Sequence, residues 1–185
     1  MKIALVLGTA REGRESEKVA KVVHDVLKEQ DDVHATFVDV RDHLETFATT
    51  RFGMEDEKEH AWKNIACDSD GFIFVLPEYN HGYPGEWKLL MDSLYKKEYI
   101  HKAAGLVGVS SGMFGGVRCL ELATLTLATR GMYVMKDTLN FMHVKEQFDD
   151  TGALVEEAQK ERVSEFVVTM VAVSYTHLTL PTISS

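Results

Sequence analysis

Short apolar runs and longer stretches of mixed composition follow one another along the chain. An unbroken apolar run of this kind is typical of a strand that is buried on both faces of a parallel sheet. The strand-like segments are residues 2–8, 33–40, 71–77, 103–111 and 132–136. The second of them is more mixed than the others, which predicts a strand at the edge of the sheet.

Between and after these runs, apolar residues recur every three or four positions, as on the buried side of a helix. Ser16 stands where the first helix needs an N-cap, and Gly131 suits the C′ position of the fourth. Five strands and five helices in strict alternation predict a parallel sheet with helices on both faces. The fold class is therefore α/β, an open three-layer sandwich, because a closed barrel would need more units.

The length of 185 residues suits one domain with a full hydrophobic core. The last segment, residues 173–185, is rich in Ser and Thr and contains no Asp, Glu, Lys or Arg. It also follows the helix that should complete the fold. We therefore predict one domain over residues 1–172 and a non-native or disordered tail over residues 173–185.

Charge and composition disfavour several classes of function. The net charge of −9 argues against nucleic acid or an anionic membrane surface as a partner. No segment reaches the roughly 18 apolar residues that a membrane span needs. Two distant cysteines, Cys67 and Cys119, predict reduced thiols in a cytoplasmic protein, with Cys119 as a core or interface residue. The eight histidines form no HxH or HxxxH pair, so we expect no metal site.

The loop after the first strand, GTAREGRESEKVA, carries groups that suit a phosphate. Ligands of open α/β sheets bind beyond the carboxyl ends of the strands, and this loop starts at such an end. It offers two hydroxyl and two guanidinium groups, from Thr9, Ser16, Arg11 and Arg14. These groups and the free N–H groups of a helix start favour an anion. The alternative is a solvated loop whose arginines pair with nearby glutamates.

Two further loops follow buried strands. In PEYNHGYPG, residues 77–85, a carboxylate, an aromatic ring and an amide come together, which fits a planar ligand with polar edges. The alternative is a turn with Asn80 and Gly82 at positive φ and Pro84 at a helix start. In GVSSGMFGG, residues 108–116, the glycines allow close backbone approach to a ligand, with simple flexibility as the alternative.

The three loops can meet at one place. In the strand order 2-1-3-4-5, the first and third strands are neighbours and the fourth lies beside the third. One phosphate-binding loop and two ring-binding loops then share a crevice. The ligand that they predict is a mononucleotide with a large flat head.

At this point the chain resembles the NAD(P)H-dependent FMN reductases of the flavodoxin-like superfamily, which include quinone, chromate and azo-dye reductases. The resemblance covers about residues 2–170. DGFIFVLPEYNHGYPG is similar to the family signature ADGxIFxxPEYNxSxPG, GVSSGMFGGVRC to its third loop, and GTAREGRES to its phosphate loop. The resemblance implies a flavodoxin-like fold with bound FMN, NADPH or NADH as hydride donor, and a small acceptor such as a quinone, flavin, azo compound or oxyanion.

The resemblance also implies roles for individual residues. It assigns the FMN phosphate to Thr9, Arg11 and Ser16, with Arg14 as a further contact and Glu15 as an opposing charge. It implies that residues of the second and third loops contact the isoalloxazine ring. These residues are Pro77, Glu78, Tyr79, Asn80, Ser110, Gly112 and Gly115. His81 lies in the second loop and is a candidate contact, with an exposed and unused side chain as the alternative. No side chain is implied as a catalytic nucleophile, because the flavin carries the hydride chemistry.

Three questions remain open at the level of sequence. A flavodoxin-type electron carrier without pyridine-nucleotide turnover is the main alternative function. Arg14 and Glu15 depart from the small residues usual in the phosphate loop, which also allows a degenerate member that serves as a binding module. The fourth helix is apolar over more than half of its circumference, which predicts a homodimer or a homotetramer.

Overall fold

A parallel β-sheet forms the middle layer of the protein. The structure is a computed structural model that describes residues 1–44 and 57–179. The strands are β1 Lys2–Leu7, β2 His34–Asp39, β3 Gly71–Pro77, β4 Ala103–Val109, β5 Tyr133–Val134 and β6 Leu139–Phe141. Their order is β2-β1-β3-β4-β5, and β6 also pairs with β4. The predicted flavodoxin-like sheet, with the second strand at its edge, is confirmed.

Helices cover both faces of this sheet. They are α1 Ser16–Lys28, α2 Glu57–Asp68, α3 Gly85–Asp92, α4 Val117–Thr129 and α5 Glu157–Thr179. Successive side chains of a strand point to opposite faces, so Leu5 packs with α1 and α5, whereas Val6 packs with α2, α3 and α4. The two buried clusters make the three-layer sandwich that the alternation predicts.

The fifth strand differs from the prediction. Instead of one strand over residues 132–136, two short strands lie end to end beside β4, with β5 against its start and β6 against its end. The polar residues Lys136, Asp137 and Thr138 interrupt the apolar pattern between them. Because β6 reaches the carboxyl end of β4, the chain that follows it arrives at the edge of the sheet where ligands bind.

The helix ends also show differences. Glu15, not Ser16, is the N-cap of α1, and Ser16 is its first helical residue. Gly131 has a φ of +77° and follows α4, so its predicted C′ role is confirmed. Helix α5 continues to Thr179, so residues 173–179 of the predicted tail are helical, and residues 180–185 lie outside the described residues. The domain boundary at residue 172 stays a prediction.

None of the helices in residues 1–44 and 57–179 combines the length and the apolar character that crossing a lipid bilayer requires. In the same part of the chain, no three His, Cys, Asp or Glu side chains cluster in a way that could hold a metal ion.

Candidate functional site

A crevice of about 340 Å³ opens at the carboxyl ends of β1, β3 and β4. Four chain segments line it: residues 11–16 after β1, 77–79 at the end of β3, 109–111 at the end of β4, and 144–145 after β6. The loops after the first, third and fourth strands therefore meet at one site, as the strand order predicts. The fourth segment was not predicted.

The first loop presents free backbone N–H groups at the start of α1. Within the described part of the chain, the N–H groups of residues 12–16 donate no hydrogen bond. The hydroxyl group of Ser16 is buried among them and has no partner in these residues either. Buried polar groups are normally hydrogen-bonded, so this set of donors fits a small anion such as a phosphate.

Two arginines hold the carbonyl side of the same loop. Arg14 donates to the carbonyl oxygen of Thr9. Arg41 donates to the carbonyl oxygens of Ala10 at 3.1 Å and Arg11 at 2.6 Å. Since the C=O and the following N–H of a trans peptide point in opposite directions, the bond to the Arg11 carbonyl turns the free N–H of Glu12 away from Arg41.

Arg14 lines the crevice, but its charge is already compensated. Its guanidinium group pairs with both carboxylate oxygens of Asp39 at the end of β2, and only 3% of the Arg14 side chain is exposed. Burial alone would lower the pKa of Arg14, but the hydrogen bonds and the charge of Asp39 outweigh it and raise this pKa. Arg14 therefore fixes the loop and does not offer a free cation to a ligand.

Thr9 and Arg11 connect the first loop to the second. The hydroxyl group of Thr9 is hydrogen-bonded to that of Tyr79 at 3.2 Å and accepts the N–H of Arg11 at 3.2 Å. The Arg11 guanidinium carbon lies 5.3 Å from the centre of the Tyr79 ring, a cation–π distance. Thr9 is fully buried and is not among the lining residues, whereas Arg11 and Tyr79 are.

The second loop closes as a two-residue hairpin. The N–H and carbonyl groups of Tyr79 and Gly82 pair at 2.9 Å, and the turn residues Asn80 and His81 have φ values of +48° and +67°. Positive φ at both positions is the type I′ geometry. Asn80 therefore has the positive φ that the turn alternative expected, whereas the second positive φ belongs to His81 and not to Gly82. Asn80 and His81 are exposed and do not line the crevice, whereas Pro77 and Glu78 line it beside Tyr79.

Glu78 is tied to α4 rather than left free. Only 6% of its side chain is exposed, and its carboxylate accepts a hydrogen bond from the Arg118 guanidinium at 2.8 Å. Its backbone N–H donates to the carbonyl oxygen of Val109 at 2.9 Å. The pair fastens the second loop to the first turn of α4.

The third loop contributes serines rather than glycines to the lining. Ser110 and Ser111 line the crevice, and the Ser110 hydroxyl donates to the carbonyl oxygen of Gly112 at 2.8 Å. Gly112 is exposed, and Gly115, at a φ of +57°, is buried against Asn140. Neither glycine is a lining residue, so a direct role for them stays a prediction.

Sequence reasoning missed five residues of this site. Three of them, Asp39, Arg41 and Arg118, hold loop residues in place. The other two, Val144 and Lys145, line the crevice from a short 3₁₀ helix, Val144–Glu146. No sequence pattern around these five residues predicts their roles, because each meets parts of the site that are far away along the chain.

The match to known proteins agrees with this geometry. Residues 1–146 match the model of a family described as NADPH-dependent FMN reductase. The chain is 35% identical over 128 residues to an NAD(P)H-dependent FMN reductase of Nectria sp, a match that covers 63% of this chain but only 62% of that relative. It is 26% identical over 167 residues to an NADPH azoreductase of Bacillus sp. (strain OY1-2), covering 87% of this chain and 90% of the relative.

Among solved structures, the chain is similar to the flavoenzyme NAD(P)H:(acceptor) oxidoreductase FerB from Paracoccus denitrificans. The TM-score is 0.79 with 21% identity, and the match covers 95% of this chain and 98% of that one. At this identity the similarity establishes the fold alone.

Proposed function

This chain belongs to the NADPH-dependent FMN reductase family, and we propose on that premise that it binds FMN and acts as an NAD(P)H-dependent oxidoreductase. The acceptor would be a small molecule such as a quinone, a flavin, an azo compound or an oxyanion. The observation that carries the proposal is the unpartnered donor set at the start of α1, formed by the N–H groups of residues 12–16 and the buried Ser16 hydroxyl.

The first loop would hold the phosphate of FMN. Its free N–H groups and the Ser16 hydroxyl supply hydrogen bonds, and Arg11 supplies charge. Thr9 would act through its bonds to Arg11 and Tyr79, and Arg14 by holding the loop. The family resemblance implies direct phosphate contacts for Thr9 and Arg14, whereas here both would act indirectly.

The second and third loops would bind the flavin ring. Pro77, Glu78 and Tyr79 line the crevice from the end of β3, and Ser110 lines it from the end of β4. Asn80, His81, Gly112 and Gly115 do not line the crevice, so they would contribute backbone groups or loop shape.

Bound FMN would supply the hydride and electron-transfer chemistry between NAD(P)H and the acceptor. The protein's own part is to position the cofactor. The Glu78–Arg118 ion pair attaches the second loop to α4, and the Thr9–Tyr79 hydrogen bond attaches it to the first loop. No lining side chain needs to act as a nucleophile, so we assign no catalytic residue.

An anaerobic spectrum tests the proposal. The full chain is reconstituted with FMN, and the bound-flavin absorbance is recorded before and after one equivalent of NADPH. Bleaching within seconds supports an NAD(P)H-dependent reductase. Bound flavin that stays oxidised would instead indicate a flavodoxin-type carrier, and failure to bind FMN would indicate a degenerate member of the family.

We also propose that the protein is a homodimer or a homotetramer in the cytoplasm. Three apolar side chains of α4 are exposed, with Val117 at 42%, Leu122 at 45% and Leu125 at 66%. A second copy would cover them. Light scattering should show that Leu125→Glu dissociates the oligomer and that Val168→Glu, on α5, does not. Both cysteines are free thiols, which suits a reducing compartment.

A further inference from the structure

The crevice has fewer available cations than its lining suggests. Arg11, Arg14 and Lys145 line it, together with Glu12 and Glu15. Arg14 pairs with Asp39 and Glu17, and Glu15 pairs with Lys18. Within the described residues, Arg11 and Lys145 form no ion pair with a carboxylate. Because a phosphate monoester carries nearly two negative charges at neutral pH, Arg11 alone does not balance it.

The chain places Lys145 beside the start of α1. The N–H of His143 donates to the Gly112 carbonyl, and that of Val144 donates to the Ser110 carbonyl, both at 3.1 Å. On the other side, the Lys18 ammonium group lies 6.0 Å from the centre of the Phe148 ring. The segment that carries Lys145 is therefore hydrogen-bonded to the third loop and lies near the first turns of α1.

We propose that Lys145 is a phosphate-binding residue of this crevice and supplies the positive charge that Arg14 does not. The inference rests on the proposed function, because the phosphate is taken to be that of FMN. Lysine suits this position, since its ammonium group sits on a flexible stem and binds phosphate as a point charge. Residues 143–145 reach the site because they follow β6, which pairs with the end of β4.

Paired titrations with FMN and riboflavin test the proposal. Riboflavin carries the same ring and lacks the phosphate. The full chain is freed of flavin and titrated with each compound at low ionic strength, and quenching of flavin fluorescence is recorded. We expect Lys145→Ala to weaken FMN binding about tenfold, with riboflavin binding unchanged. Lys145→Arg, which keeps the charge, should stay within about twofold of the unsubstituted protein for FMN.

The control is Lys136→Ala, which removes another exposed lysine that does not line the crevice. It should change neither affinity. Raising the salt concentration should weaken FMN binding less in Lys145→Ala than in the unsubstituted protein, because one screened interaction is gone.

The possible failures are distinguishable. If the unsubstituted protein binds FMN, and Lys145→Ala binds FMN equally well or loses both flavins equally, the inference about Lys145 is overturned and the proposed function stands. A changed preference for NADPH over NADH with unchanged FMN affinity would also overturn it, because the 2′-phosphate of NADPH would then be the group bound. If the unsubstituted protein does not bind FMN, the proposed function fails first.

Discussion

Arg14 pairs with Asp39 across the gap between the first loop and the carboxyl end of β2. Arg14 Nη1 lies 2.9 Å from Asp39 Oδ1, and the second nitrogen contacts the other carboxylate oxygen. Asp39 Oδ1 also accepts the N–H of Arg41 at 3.0 Å. One carboxylate at the end of β2 therefore binds the guanidinium of Arg14 and the backbone of Arg41, the two residues that hold the carbonyl groups of the loop, although β2 does not line the crevice.

Asp39→Asn should destabilise the protein because it leaves the buried Arg14 guanidinium with only the more distant Glu17, at 3.5 Å, as a counter-ion. We expect the free energy of unfolding to fall by about 2–3 kcal/mol, somewhat less than for a fully buried pair, since part of Asp39 is exposed. Urea denaturation measures this change. Asp42→Asn, at an exposed position nearby, is the control and should have little effect. Equal stability of the two variants would show that the pair contributes nothing.

The same pair should give stability a dependence on acid. Burial by itself would raise the pKa of Asp39, but the Arg14 guanidinium and the Arg41 N–H hold it below its ordinary value of 3.8. A carboxylate with a lowered folded-state pKa stabilises the fold above its unfolded value and loses that contribution as the pH falls through the folded value. Stability should therefore drop below about pH 4, and Asp39→Asn should lack this part of the drop in urea titrations across that range.

Gly116 should tolerate no side chain, in contrast to Gly112. Gly116 has a φ of +82°, and a Cβ there would lie 2.8 Å from the Val109 nitrogen. Nothing lies within 4 Å of a Cβ at Gly112. Gly116→Ala combines backbone strain with a clash against main-chain atoms, so we expect a loss of about 2–4 kcal/mol. Thermal unfolding of Gly112→Ala, expected to be near neutral, is the matched comparison.

Apolar patterning was sufficient to predict a parallel sheet with helices on both faces, and the common strand order 2-1-3-4-5, which the pattern itself does not fix, then predicted the convergence of three loops. It was not sufficient to predict that Lys136, Asp137 and Thr138 interrupt a strand that resumes afterwards, because pairing with the end of β4 decides that. The role of Arg14 could not be predicted from its neighbours in the sequence either. Its main partner, Asp39, lies 25 residues away along the chain, so only the folded arrangement shows that this arginine is unavailable to a ligand.

Arg118→Met should leave the nearly buried Glu78 carboxylate without its ion-pair partner. Arg118 is partly exposed, so we expect a loss of about 1–2 kcal/mol rather than the larger cost of a fully buried pair. Glu78→Gln in the same chain should recover part of the loss, because an amide costs less than a charge to bury. A double-mutant cycle in urea gives the coupling energy. Strict additivity of the two substitutions would contradict the pairing.

The two cysteines should differ sharply in reactivity. Cys119 is fully buried on α4, and burial, with the nearby Glu78 charge, raises the pKa of its thiol to about 12. Cys67 is exposed near the end of α2. Because the thiolate is the reactive form, a disulfide reagent at pH 8 should modify one thiol quickly in the folded protein and both in urea. Cys67→Ser should abolish the fast phase, whereas a fast thiol that survives this substitution would place Cys119 at the surface.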